Sequence, residues 1–288
     1  MVSPCSSIMS RCVVFGKPMP SLFDNVLALL RYKASLLSVP RAIPRVIQTE
    51  TNGYVLLVRA NEEVGRAIHF VGNFEIDETA FLRSVLRPDS VCIDIGANVG
   101  YFTMLMAQIA TNGSVHAFEP LPLNAALLTA SAELNRFENI QLNQCAVGGE
   151  DGTVSFAQAE DSAYSSIRDT NRKSLARMLT VPIVRLDSYA AQHGLARIDV
   201  LKADVEGAEG MILAGATGLL GDPARRPRVM MIELYEPSLA IFDTSIAQVM
   251  TSLAGYGYVP HVIGAGGALR PYDRDRDVHK YNIVFQVA

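Results

Sequence analysis

Apolar and polar positions change rhythm along the chain. In the first forty-odd residues, Pro4, Pro18, Pro20, Pro40 and Pro44 surround one stretch, 22–37, whose apolar positions recur at helical spacing. Two short β-rich runs follow, 54–58 and 67–70, separated by a polar turn containing Asn61 and Gly65. That pattern predicts a hairpin packed as a cap before a larger sheet. From Thr79 onward the rhythm becomes strand, glycine turn, helix, strand, as in a parallel sheet with crossover helices. Strands are predicted at 91–95, 114–118, 140–147, 181–186, 198–203, 228–234, 256–262 and 281–287. Helices are predicted at 99–110, 121–135, 207–220 and 246–253; 148–177 is a polar stretch read as a loop, and its acidic, serine-rich insert 160–166 is a loop candidate near the mouth of a site. The expected organisation is therefore an N-terminal helical and hairpin extension over 1–77, then one α/β domain over 78–288.

Composition narrows the function classes. A chain of 288 residues is long enough to bury the core of one such domain plus an extension. Its 29 acidic and 25 basic residues leave a net charge of -4, which argues against a nucleic-acid partner, since such proteins carry a basic surplus. The cysteines Cys5, Cys12, Cys92 and Cys145 form no Cys-x-x-Cys pair, so a disulfide or a metal thiolate site is not expected. No apolar run reaches the length of a membrane span, and the N-terminus lacks the pattern of a cleaved signal. A cytoplasmic protein acting on a small-molecule or glycan substrate is the expectation.

Chemistry concentrates at predicted strand ends. The first main strand ends in Asp94 and turns through Gly96, Asn98 and Gly100 into a helix, so the turn's backbone N–H groups are expected to point out of the carboxyl edge. Glycine at 96 is expected to let a ligand approach closely and to permit a positive φ. The next strand ends in Glu119, placed to accept hydrogen bonds from both hydroxyls of a ribose. Two acids beside a glycine turn suit a positively charged sulfonium nucleoside better than a pyrophosphate, and the turn reads G-x-N-x-G where a dinucleotide site reads G-x-G-x-x-G. S-adenosylmethionine is thereby preferred to NAD. Both acids also have a purely structural reading as helix caps.

Three blocks closely resemble the FkbM family of methyltransferases: Val91 to Thr103 (VCIDIGANVGYFT), Ala117-Phe118-Glu119-Pro120, and Leu201 to Glu209 (LKADVEGAE). Ser165-Ser166, Val184-Arg185-Leu186-Asp187 and Ile232-Glu233 extend the likeness over roughly 78–237. The resemblance implies a class I methyltransferase fold, Rossmann-like, with a mostly parallel seven-stranded sheet and helices on both faces. It implies O-methylation of a hydroxyl on a sugar, glycolipid or polyketide-type metabolite. It also implies that Asp94, Gly96, Asn98, Gly100, Glu119 and Asn124 line the cofactor pocket, with Cys145, Ala146 and Val147 close to the adenine.

A hydroxyl is a poor nucleophile at neutral pH, so a general base must remove its proton as the oxygen attacks. Asp204, at the carboxyl end of its strand, is the first candidate, Glu206 the second, and Glu233 is a candidate for binding the substrate or sharing the proton. Lys202 lies two residues before Asp204 on the same strand face, either orienting substrate or forming a structural ion pair. Asp204, Glu206 and Glu209 are an alternative set for a divalent cation, although no metal is the preferred expectation. The histidines are scattered without ligand spacing, and the alternating charges of 270–277 predict a solvated loop. Two rival readings stay open at this stage: a nicotinamide-dependent oxidoreductase, and a non-catalytic methyltransferase-like binding module.

Overall fold

A computed structural model describes residues 46–287. The predicted helix at 22–37 lies outside them. The described chain opens with a hairpin of β1 (Val46–Thr51) and β2 (Tyr54–Arg59), joined by Asn52-Gly53 with φ of 51° and 85°. Positive φ at both positions is what a two-residue turn between twisted strands requires. The run 67–70, expected as the second hairpin strand, instead belongs to α1 (Glu63–Val71). Val64, Ala67, Ile68 and Val71 recur at helical spacing, and a side chain at Gly65 would strike the Arg59 carbonyl, so the helix packs tightly on the end of β2. α2 (Ile76–Val85) then leads into the main sheet.

That sheet contains β3 (Val91–Ile95), β4 (Ser114–Phe118), β5 (Ile140–Asn143), β9 (Val200–Ala203), β10 (Val229–Glu233), β11 (Tyr258–Ile263), β12 (Leu269–Pro271) and β13 (Asn282–Val287). Their order is β12-β11-β13-β10-β9-β3-β4-β5, with β13 antiparallel to both of its neighbours. Seven of these strands reproduce the expected class I arrangement, and the short β12 adds an eighth at one edge.

Alternation along the strands feeds two apolar layers. Ile93, Ile95, Leu201, Ala203, Met230 and Ile232 face one, packed by α5 (Leu186–Gln192), α6 (Glu209–Ala214), α7 (Thr217–Gly221), α8 (Glu236–Ile241) and α9 (Ile246–Gly255). Cys92, Val200, Val229 and Met231 face the other, packed by α2, α3 (Tyr101–Ile109), α4 (Pro122–Asn135) and the hairpin. This is the period-2 geometry of a sheet covered on both faces. Each fully buried side chain of the size of Ile93 or Leu128 contributes roughly 1.5–3 kcal/mol.

Several expected boundaries move. The strand expected over 140–147 divides at Gln144, because Ala146–Val147 (β6) leaves the main sheet to pair with β8 (Leu175–Val184). The supposed loop 148–177 contains β7 (Gly152–Ala159), antiparallel to β8, forming a three-stranded sheet. Its exposed outer face explains the polar composition that hid the strands. The helix expected over 207–220 breaks at Gly215, where a Cβ would lie 1.9 Å from the Gly148 carbonyl. The 270–277 run is not wholly solvated, since Arg270 ion-pairs with the buried Asp277. No helix among the described residues is long and apolar enough to cross a membrane.

Candidate active site

The carboxyl ends of β3, β4, β9 and β10 open onto one cavity of about 310 Å³. Asp94, Gly96, Asn98, Glu119, Cys145, Ala146, Val147, Lys202, Asp204, Glu206 and Glu233 all line it. Gly100 and Asn124, expected there as well, do not. Gly100 starts α3 at φ 92° with Leu128 packed against it. Asn124 stands behind the turn, where its amide donates to the Asn98 side chain at 3.0 Å.

The turn after β3 uses its amides internally. The N–H groups of Gly96 and Ala97 both donate to the Phe118 carbonyl at 3.0 Å, and that of Gly100 to Ala97 at 2.9 Å. The Asn98 N–H donates to the Glu119 carboxylate at 2.9 Å. The expectation of amides aimed out of the sheet edge is therefore corrected at these four positions. A turn whose donors are already satisfied is a poor cradle for a pyrophosphate. Gly96 has the expected positive φ, 75°, and the close approach is to the chain itself: a Cβ would lie 1.9 Å from the Asp204 carbonyl.

Glu119 is held from both sides. One oxygen accepts from Asn98, the other from the Leu121 N–H at 2.9 Å, which leaves lone pairs directed into the cavity. Burial pushes its carboxyl up to about 7, with the two backbone donors opposing. Asp94 is fully buried below the turn, where Thr103 donates to Oδ2 at 2.6 Å while Oδ1 has no hydrogen-bond partner. That oxygen instead faces the Lys202 ammonium at 3.8 Å. Glu119, so held, suits a nucleoside with two ribose hydroxyls.

Across the cavity the charges cluster. The Lys202 ammonium lies 3.3 Å from Asp204 and 3.8 Å from Asp94. Burial alone would depress its pKa, but Asp204, Asp94 and Glu75 surround it and hold it above the ordinary lysine value. Carboxylate oxygens of Asp204, Glu206 and Glu233 all lie within 4.8 Å of one another. Glu206 is aimed by a left-handed backbone, φ 58°, and burial followed by the charge of Asp204 pushes it up to about 8. Burial, then Asp204 and Glu206, holds Glu233 well above the usual carboxylate range. Glu209 is not part of this group. It starts α6, its Oε1 accepts from the Val205 and Gly207 N–H groups, and its other oxygen has no partner.

Sequence reasoning put Tyr164, within 160–166, near the mouth but did not single out Phe74, Glu75 or Arg172. Phe74, Glu75, Tyr164 and Arg172 all line the cavity. Glu75 precedes α2 in a left-handed conformation, φ 46°, and its side chain makes no capping hydrogen bond to the helix. Burial and Asp204 push its carboxyl up to about 7. Ser162, on the segment carrying Tyr164, donates to Glu62 at 2.8 Å and contacts Asn124 at 3.3 Å, so this segment is tied through Asn124 to the turn after β3. The acidic, serine-rich insert 160–166 was the sequence signal for this segment. Ser166 anchors the same segment by donating to the Val205 carbonyl at 2.7 Å.

Residues 94–260 match the model of the Methyltransferase FkbM domain. A 31-O-demethyl-FK506 methyltransferase FkbM from Streptomyces tacrolimicus is 31% identical over 204 residues, covering 60% of this chain and 74% of the relative. A hexuronic acid methyltransferase AglP from Haloferax volcanii is 27% identical over 181 residues, covering 62% and 72%. Among solved structures, a methyltransferase FkbM from Methylobacillus flagellatus KT aligns with a TM-score of 0.45 at 15% identity, covering 76% of this chain and 52% of that one.

Proposed function

The chain belongs to the FkbM methyltransferase family, and on that premise we propose that it transfers a methyl group from S-adenosylmethionine to a hydroxyl of a sugar, glycolipid or polyketide-type metabolite. The observation that carries this reading is Glu119, fixed by two backbone donors on one wall of the cavity that holds Asp204 on the other. Relatives named for a 31-O-demethyl substrate and for a hexuronic acid support an oxygen acceptor.

When bound, that cofactor supplies an electrophilic methyl group on a positive sulfur. Glu119 would accept both ribose hydroxyls, and Cys145, Ala146 and Val147 provide an apolar wall for the base. Asp94 lies below the turn with its charge balanced by Lys202. Asp204 is the preferred general base. Its side chain is 33% exposed, whereas that of Glu206 is 8% exposed and committed to an ion pair with Arg172. Lys202 holds the Asp204 carboxylate in place, and Glu233 shares the proton.

Calorimetry with S-adenosylhomocysteine tests the cofactor, and labelled S-adenosylmethionine offered with a panel of sugars, glycolipids and polyketides tests the reaction. Asp204→Asn is expected to keep S-adenosylhomocysteine affinity and lose turnover by roughly 100-fold or more. Full turnover in Asp204→Asn would remove its role as base, and no affinity for the nucleoside would remove the reading as a whole.

A further inference from the structure

The trio Asp204, Glu206 and Glu233 has the composition of a divalent-cation site, yet a cationic side chain from a distant part of the chain already stands beside it. Arg172 lies on the turn between β7 and β8, carried by Asn171 at φ 56°, whose own N–H donates to Asp169 at 2.9 Å. Its guanidinium ion-pairs with Glu206. The same group lies 4.6 Å from the centre of the Tyr164 ring and 4.5 Å from that of Tyr235, held between two aromatic faces. Lys202 is directed to Asp94 and Asp204, which leaves Glu206 and Glu233 to Arg172.

We propose that Arg172 supplies, from within the chain, the positive charge that a divalent cation would otherwise bring to Asp204, Glu206 and Glu233, so that the acceptor end of this site works without a metal. The inference rests on the reading of the trio as that acceptor end. A planar, permanently charged guanidinium suits the task, since it pairs with carboxylates and stacks on aromatic rings at once. Arg172 is thus a positioning residue: it holds the acidic group together and takes no proton.

The test uses Mn²⁺ as the probe, followed by electron paramagnetic resonance on the full chain. Wild type is expected to bind no stoichiometric Mn²⁺ tighter than about 1 mM, in the range of weak oxygen-ligand sites. Arg172→Met keeps an apolar stem between the two tyrosines and is expected to bind one Mn²⁺ per chain at least roughly tenfold more tightly. Arg172→Lys should stay closed to the ion, and adding Glu206→Gln to Arg172→Met should abolish the gain. A tight Mn²⁺ site in wild type that Glu206→Gln removes would overturn the proposal. So would an Arg172→Met protein that binds S-adenosylhomocysteine normally and gains no Mn²⁺. The wild-type measurement decides by itself if Arg172→Met fails to fold. Failure of the methyl-transfer reading is seen separately, as absent nucleoside binding or an unmethylated acceptor panel with the Mn²⁺ results unchanged.

Discussion

The Glu119 carboxylate and the Asn98 backbone N–H, 2.9 Å apart, join the end of β4 to the turn after β3. Glu119 and the glycine turn are therefore one unit. Glu119→Gln keeps the shape but places an amide NH₂ against one of two backbone donors and removes the charge. Affinity for S-adenosylhomocysteine should fall by roughly 10- to 100-fold, the worth of one or two charge-assisted hydrogen bonds. Calorimetry showing unchanged affinity would mean that Glu119 does not meet the ribose.

The same residue makes nucleoside binding depend on pH. Burial raises the Glu119 carboxyl from 4.5 to about 7 in the empty protein, so the folded state holds a proton that the unfolded state has lost between those values. Its contribution to stability is present below 4.5 and fades as pH rises through about 7. Ribose hydroxyls donate to the ionised form, so binding expels the proton. Affinity should rise with pH, by at most about tenfold per unit, and level off above about 7. Titrations between pH 5.5 and 8.5 that show a flat or falling affinity would contradict this assignment.

Lys202 is the buried cation between Asp94 and Asp204, its side chain 5% exposed. Lys202→Met leaves two carboxylates without their partner in a low-dielectric wall. Unfolding free energy should drop by about 3–5 kcal/mol, as for other broken buried pairs. The urea midpoint measures it, and an unshifted midpoint would show that solvent, not Lys202, balances these acids.

Gly96 offers a steric test. A Cβ at this position would meet the Asp204 carbonyl at 1.9 Å on a backbone of φ 75°. Gly96→Ala should cost more than about 3 kcal/mol or prevent folding, since neither backbone can yield without moving β3 or β9. Gly255→Ala, where a Cβ meets nothing within 4 Å, should stay within about 1 kcal/mol of wild type. Equal thermal midpoints for the two variants would refute the close approach.

What the sequence determined by itself was whatever repeats locally. Strands β3, β4, β9 and β10 announced themselves as apolar runs ending in Asp94, Glu119, Asp204 and Glu233, because a strand buried on both faces has little room for polar residues and its end is where they return. Parallel pairing of such strands then brings those ends to one edge. Tertiary structure alone decided the rest. Of the ribbon of β7 and β8 only the end of β8, within the predicted 181–186, had an apolar signature, because one face is exposed. Yet the connection between the two strands delivers Arg172 to Glu206, 34 positions away. Glu75 and Glu62 belong to the segment before β3 and acquire their roles only when it folds back over the cavity mouth and the Ser162 turn. Asn124 and Gly100 carry the right residue types for the pocket but pack behind it. Spacing places a residue on an element; which wall of the cavity its atoms reach depends on how that element packs against distant parts of the chain.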